Sequence, residues 1–184
     1  MLAVFRNQQE IKMKTKILFS FLSLLIFSAA PAFANNQAEA VLKGTAEGSA
    51  LSGTVHFEQA GDALKVTAEI SGAPAGKHGF HIHEKGDCGD TGKAAGGHFN
   101  PDKVEHGLLP KDGFTMAHAG DLGNIEIGPD GKGKLEVTVQ RLSLGTGKYD
   151  IDGKSVILHE KEDDFGQPTG NAGGRIGCGV IEKK

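Results

Sequence analysis

The stretch Gly79, Phe80, His81, Ile82, His83, Glu84 carries two histidines two positions apart. In a strand, side chains two apart leave the same face, so His81 and His83 can offer their imidazoles to one ion while Phe80 and Ile82 turn towards a core. That is half a metal site. The other half must come from further along the chain, where His98 with His106, His118 with Asp121, and His159 are available. Six histidines and one aspartate are more than one ordinary metal needs. Imidazoles alone, arranged near a plane, suit copper, whereas three imidazoles and a carboxylate in a tetrahedron suit zinc. Seven ligands cannot fill two separate four-coordinate sites, but they can if one doubly deprotonated ring binds a metal through each nitrogen. His56 and His78 lie outside this pattern and read as structural residues.

The elements that must position these ligands read as short antiparallel strands. Glycine is abundant at 28 residues, tryptophan is absent, and short alternating runs are separated by turn residues. The pattern predicts strands near Ala40 to Ala46, Ser52 to Gln59, Ala63 to Ser71 and Lys77 to Glu84, then Leu122 to Ile127, Lys134 to Gln140, Ser155 to His159 and Gly179 to Glu182. Gly61-Asp62 joins the second to the third, Pro74 and Gly76 break the chain before the fourth, and Pro129, Asp130 and Gly131 turn between the fifth and sixth. Eight short strands with two long irregular loops indicate an all-β sandwich or flattened barrel. Residues 85 to 121 form the first loop and hold four of the candidate ligands. So long a connection in a small domain is usually functional. The second, residues 160 to 177, runs from an acidic patch (Glu160, Glu162, Asp163, Asp164) through a Gly-rich turn to Arg175.

Ahead of this domain, Met13 begins a basic head with Lys14 and Lys16, followed by an apolar run from Ile17 to about Ala30 and the small-x-small ending Ala32, Phe33, Ala34. Those features make a secretory signal cleaved after Ala34, with residues 1 to 12 upstream of the start at Met13. A membrane anchor is the competing reading, and the run is short for a span of about 20 residues. Residues 35 to 184 then form one domain of 150 residues, with 16 Lys+Arg against 22 Asp+Glu and a net charge of −6. An acidic domain without basic runs does not suit nucleic acid. The two cysteines, Cys88 and Cys178, both lie in the exported part, where an even pair indicates one disulfide closing a loop of 91 residues. Two free thiols acting as metal ligands are the alternative, although neither has a second sulfur nearby.

From about Ala40 to its end the chain resembles the copper-zinc superoxide dismutases, and in particular the exported bacterial members. Gly79-Phe80-His81-Ile82-His83-Glu84-Lys85-Gly86-Asp87-Cys88 is similar to the family's copper-site signature, and Gly170-Asn171-Ala172-Gly173-Gly174-Arg175-Ile176-Gly177-Cys178-Gly179-Val180-Ile181 to its carboxyl-terminal signature. His98-Phe99-Asn100-Pro101 and His118-Ala119-Gly120-Asp121 stand between them in the family's order. The short spacing from His83 to Cys88 is similar to that of bacterial exported members.

The resemblance implies an eight-stranded Greek-key β-barrel or sandwich of immunoglobulin-like type, a known property of the family. It implies copper on His81, His83, His98 and His159, zinc on His98, His106, His118 and Asp121, and His98 as the bridge. Asp163 would hydrogen-bond a ligand of each metal, Arg175 would dock a small anion beside the copper, and Cys88 with Cys178 would be the intrachain disulfide. One copper and one zinc per subunit would serve dismutation of superoxide, in the periplasm, by a chain free of nucleic acid and membrane that could form a homodimer or stay a monomer. A non-catalytic copper and zinc carrier is the alternative, and it has no need of Arg175. The chain departs from the family in a shortened second loop, which lacks the charged guide residues of cytosolic members, and in extra residues between His106 and His118. Among these, Leu108 and Leu109 are expected to form an exposed apolar contact.

Overall fold

The computed structural model describes residues 36–184, so the expected upstream residues and secretory signal, together residues 1 to 34, lie outside the described residues. Eight strands follow in order: β1 (Gln37–Gly44), β2 (Ser52–Ala60), β3 (Ala63–Ser71), β4 (Gly76–His83), β5 (Asp121–Ile127), β6 (Lys132–Gln140), β7 (Ser155–His159) and β8 (Arg175–Lys183). They close into a barrel in the order β1-β2-β3-β6-β5-β4-β7-β8, with antiparallel neighbours throughout. The step from β3 to β6 and the return from β4 to β7 are the crossovers of a Greek key.

Period-two alternation builds the core. Ala38, Ala40 and Leu42 of β1, Val55 and Phe57 of β2, and Leu64, Val66, Ala68 and Ile70 of β3 all point inward and are buried. Strand β4 is different, because both of its faces are covered after Lys77. Phe80 and Ile82 fill the barrel on one side, while His81 and His83 on the other are buried beneath the two long loops.

The strand boundaries differ from the sequence reading by two or more residues in three strands. Strand β1 starts at Gln37 and ends at Gly44, earlier than expected at both ends, because Gln37–Lys43 pairs with Ser52–Glu58. Strand β6 begins at Lys132, where Lys132 N–H donates to Asp130 Oδ1 at 3.2 Å as the turn closes. Strand β8 begins at Arg175, four residues before the expected Gly179, because β7 and β1 hold its first half through His159↔Arg175 and Gly44↔Gly177. Glycine-rich sequence hides that extension from any alternation pattern.

The first long connection is less irregular than expected, since it contains a 3₁₀ turn at Lys93–Ala95 and a short helix, α1 (Leu109–Asp112), with Pro110 in its first turn. The expectation of an exposed Leu108-Leu109 contact is wrong for Leu109, which is 2% exposed and packs into the core cluster beside Leu122 and Val139. Leu108 is half-buried. A third connection, residues 141–154, sends Leu142, Leu144 and Ile151 into the core.

Candidate metal centre

Main-chain pairing brings the candidate ligands together. In the β4–β5 ladder His81 lies opposite Asp121, just past a register shift after Gly79. An isolated bridge pairs His83 with His98, and β8 places Arg175 opposite His159. Three hydrogen bonds lock the loop against β4: Phe99 N–H to Ile82 O, Ile82 N–H to Gly120 O and Gly120 N–H to Phe99 O, each 2.9 Å. The approach at Gly120 is so close that a Cβ would stand 2.1 Å from the Ile82 carbonyl oxygen, which only glycine avoids.

His81, His83, His98 and His159 form one group whose nitrogens converge within 4.8 Å. Their other nitrogens are occupied. His83 Nδ1 donates to Gly96 O at 3.0 Å, His159 Nδ1 to Gly173 O at 3.4 Å, and His81 Nε2 to Asp163 Oδ2 at 2.8 Å. These donors fix the tautomers, so His83 Nε2 and His159 Nε2 face each other at 3.3 Å with lone pairs on both, and His81 Nδ1 is buried without a hydrogen-bond partner. Converging lone pairs in a buried site are the arrangement that a bound cation resolves.

His98, His106, His118 and Asp121 form the second group. Bonds of 2.0–2.1 Å at the tetrahedral angle put zinc ligands about 3.3 Å apart. Here His98 Nδ1 is 2.8 Å from Asp121 Oδ1, His118 Nδ1 is 3.3 Å from His98 Nδ1 and 3.1 Å from Asp121 Oδ1, and His106 Nδ1 is 2.9 Å from Asp121 Oδ2. The last contact is close but off the line of a hydrogen bond, so His106 Nδ1 is also a buried nitrogen without such a partner. The donor set and its spacing fit a tetrahedral ion. His98 belongs to both groups, with Nδ1 turned to the second and Nε2 left for the first.

Asp163 stands behind both groups and is fully buried. It accepts from His81 Nε2 at 2.8 Å and from His106 Nε2 at 2.9 Å.

The profile described as "Copper/zinc superoxide dismutase (SODC)" matches residues 51–181. The chain belongs to the copper/zinc superoxide dismutase family. It is similar to the extracellular superoxide dismutase [Cu-Zn] of Caenorhabditis elegans, 49% identical over 138 residues, which are 71% of this chain and 61% of that protein. The chain therefore spans less than two thirds of that relative. The namesake proteins of Haemonchus contortus and Drosophila melanogaster are 43% and 46% identical over 70% of this chain each, covering 72% and 74% of their own lengths. The crystal structure of the clock protein EA4 superposes with a TM-score of 0.73 at 38% identity, covering 83% of this chain and 98% of that one.

A member of this copper/zinc family takes one copper and one zinc, and the two converging groups match that pair. Without metal, burial and neighbouring imidazoles hold three histidines of the first group neutral: His83 is pushed down to about 2, His159 to about 3, and His98 to about 4 against the pull of Asp121. His106 goes the other way. Burial lowers it, but the Asp121 carboxylate close to one ring nitrogen and the hydrogen bond to Asp163 at the other outweigh burial and raise it to about 9. Burial likewise works against both carboxylates, yet the histidine hydrogen bonds hold Asp121 and Asp163 well below the usual carboxylate range.

Arg175 is half-buried at the edge of the first group. Its guanidinium donates to the Gly92 and Gly96 carbonyls, and Gly96 O also accepts from His83. The same loop is tied to β8 by the Cys88–Cys178 disulfide, so neither cysteine is a free thiol.

Two supporting residues, Asn124 and Gln167, escaped the sequence reading, and a third, His78, holds the structural role expected of it. Asn124 pairs its carboxamide with the peptide of Asp163, donating to O at 2.9 Å and accepting from N–H at 2.8 Å. Gln167 does the same at His106. His78, set aside as structural, is buried with its ring nitrogens 2.9 Å from the His159 and Pro74 carbonyl oxygens, where it supports the backbone of a ligand. The period-two spacing of His78 before Phe80 was a faint signal for it; nothing in the sequence pointed to the two carboxamides. His56 is exposed and sits 3.2 Å from Glu39, away from both groups.

Proposed function

We propose that this chain dismutes superoxide, two O₂⁻ and two protons giving O₂ and H₂O₂. His81, His83, His98 and His159 would hold copper, and His98, His106, His118 and Asp121 would hold zinc. The observation that carries the reading is the dual membership of His98, one ring in both groups with a nitrogen for each. When bound, copper supplies the one-electron exchange with superoxide and zinc a fixed charge that sets the basicity of His98.

The chain's own residues do the rest. Asp163 orients one ligand of each metal and so couples the two sites. His98 Nε2, the ring nitrogen left for the first group, would take up a proton when its bond to the metal opens and would give that proton to the product. Arg175, held by two loop carbonyls next to His159, offers a small anion a fixed positive charge at the open edge. A carrier that only stores metal would have no use for that cation, which favours the catalytic reading over the carrier.

We further propose export into an oxidising space, the bacterial periplasm, with residues 1 to 34 as upstream sequence and cleaved signal and 35 to 184 as the mature domain. The Cys88–Cys178 disulfide and relatives named as extracellular support export. A dismutation assay on the purified mature chain, run with metal analysis by mass spectrometry, tests the activity. One copper and one zinc with rapid dismutation is the expected result, and a fully metallated but inactive chain would leave only the carrier. Mass measurement of protein recovered from the periplasmic fraction tests the compartment and the cleavage after Ala34.

A further inference from the structure

We propose that Gln167 is a positioning residue for the zinc site, holding the peptide group of His106 in place of a main-chain ladder. This rests on the zinc assignment above. Gln167 accepts from His106 N–H through Oε1 at 3.0 Å and donates through Nε2 to His106 O at 2.9 Å. A carboxamide carries a donor and an acceptor in one rigid plane, so it can mimic the two bonds of an antiparallel neighbour at a single residue.

His106 is the ligand that needs such help. His98 is flanked by bridge-type bonds to β4, Asp121 lies in β5, and His118 is held three residues away by its N–H to Asp121 Oδ2 at 2.9 Å. Among the described residues, Glu105, His106 and Gly107 make no main-chain to main-chain hydrogen bond. The N–H and C=O of His106 are therefore set from the second loop, while Gly107 N–H goes to Asp121 Oδ2 at 3.1 Å, and the outer edge of the His106 ring is set from the second loop as well. Asp163 takes its Nε2, the Phe165 ring stacks on it at 6.4 Å between centroids and 18° between planes, and Gly170 approaches so closely that a Cβ would lie 2.7 Å from Nε2.

The tip that carries Gln167 is itself tied. Asp164 N–H donates to Gly170 O at 2.9 Å, Gly170 N–H to Gly166 O at 2.7 Å, and Asn171 Nδ2 to the Asp164 carboxylate at 3.1 Å. A short loop closed on itself thus presents one carboxamide to one ligand. Metal geometry tolerates displacements of only a few tenths of an ångström, so a peptide free to drift would loosen zinc directly and copper only through Asp163 and His98.

The test is zinc affinity, measured on the purified metal-free chain by competition with a chromophoric chelator, for wild type, Gln167→Met and Gln167→Ala. Methionine keeps the length and removes both hydrogen bonds; alanine also removes the contact area. Both variants are expected to bind zinc about tenfold more weakly, to lose far less copper affinity than zinc affinity, and to lose hydrogen-exchange protection at the His106 amide. Zinc affinity within twofold of wild type in both would overturn the proposal, as would a loss confined to Gln167→Ala, which would mean packing. Equal losses for zinc and copper would mean general destabilisation and would also overturn it. If alanine fails to fold, methionine decides alone. Failure of the zinc assignment itself reads differently, because wild type would then take up no stoichiometric zinc, or His118→Ala would keep it.

Discussion

Replacing Arg175 by glutamine leaves a shorter side chain that still hydrogen-bonds but removes the positive charge held at the edge of the first histidine group. Turnover should fall by about tenfold, at the low end of what focused charge contributes to encounter with a small ion, while both metals stay bound because no ligand is touched. Metal analysis beside a dismutation assay checks this, and an unchanged rate would remove the docking role. The histidines make a second statement at this scale, for the metal-free chain. His83, His98 and His159 have folded pKa values below their ordinary 6.5, so the folded state binds fewer protons there than the unfolded chain. Their contribution is complete above about 6.5 and is lost as pH falls below it. His106, raised to about 9, adds stability that is present below 6.5 and is lost as pH rises through 9. Thermal unfolding of metal-free protein should therefore show a maximum near neutrality and decline on both sides; a midpoint climbing steadily from pH 6.5 to 9 would contradict the state assigned to His106. That these histidines converge was legible because imidazoles at repeated, purposeful spacings have few other uses. Gln167 and Asn124 were not, since a carboxamide that pairs with a distant peptide looks like any polar loop residue until the loop is folded.

At the scale of elements, the disulfide has a functional reach that follows from where it is attached. Cys88 begins the segment whose Gly92 and Gly96 carbonyls hold the Arg175 guanidinium, and Cys178 lies three residues beyond Arg175 on β8. The double variant Cys88→Ser/Cys178→Ser should lower stability by up to about 4 to 5 kcal/mol on the chain-entropy account. It should also reduce turnover through loss of the Arg175 support, beyond what its metal content explains. Calorimetry together with activity per bound copper checks this, and activity per copper equal to wild type would separate the disulfide from the site. The strands themselves were read correctly in number, and most of their ends lay within two residues. The exceptions are the starts of β1 and β8; Arg175 to Cys178 offers a single large apolar residue, Ile176, and becomes a strand only because β1 and β7 supply partners. Leu109 is the matching case among apolar residues. An insertion with two leucines reads as a surface contact, yet α1 turns one of them into the core.

For the whole molecule, a net charge of −6 over residues 35–184 opposes the approach of any anion, so attraction must come from cations close to the site. The steering of superoxide by such fields is a known case of this effect. Above about 0.1 M salt the screening length is about 10 Å, and distant charges no longer matter. Raising ionic strength from there towards 1 M should slow turnover by weakening Arg175 and its neighbours, and stopped-flow dismutation rates check this. A flat dependence would show that the shortened second loop does not steer. What the sequence by itself determined is local: a period-two alternation that commits the chain to strands, glycine turns that divide them, and ligands in an order that admits two metals around one shared ring. Tertiary structure decided which nitrogen of each imidazole is free, because tautomers depend on carbonyls and carboxylates such as Gly96, Gly173 and Asp163 that arrive from other loops. It also decided how the ligands are held, because a register between β4 and β5 and a bridge between His83 and His98 exist only once separate strands close into one barrel.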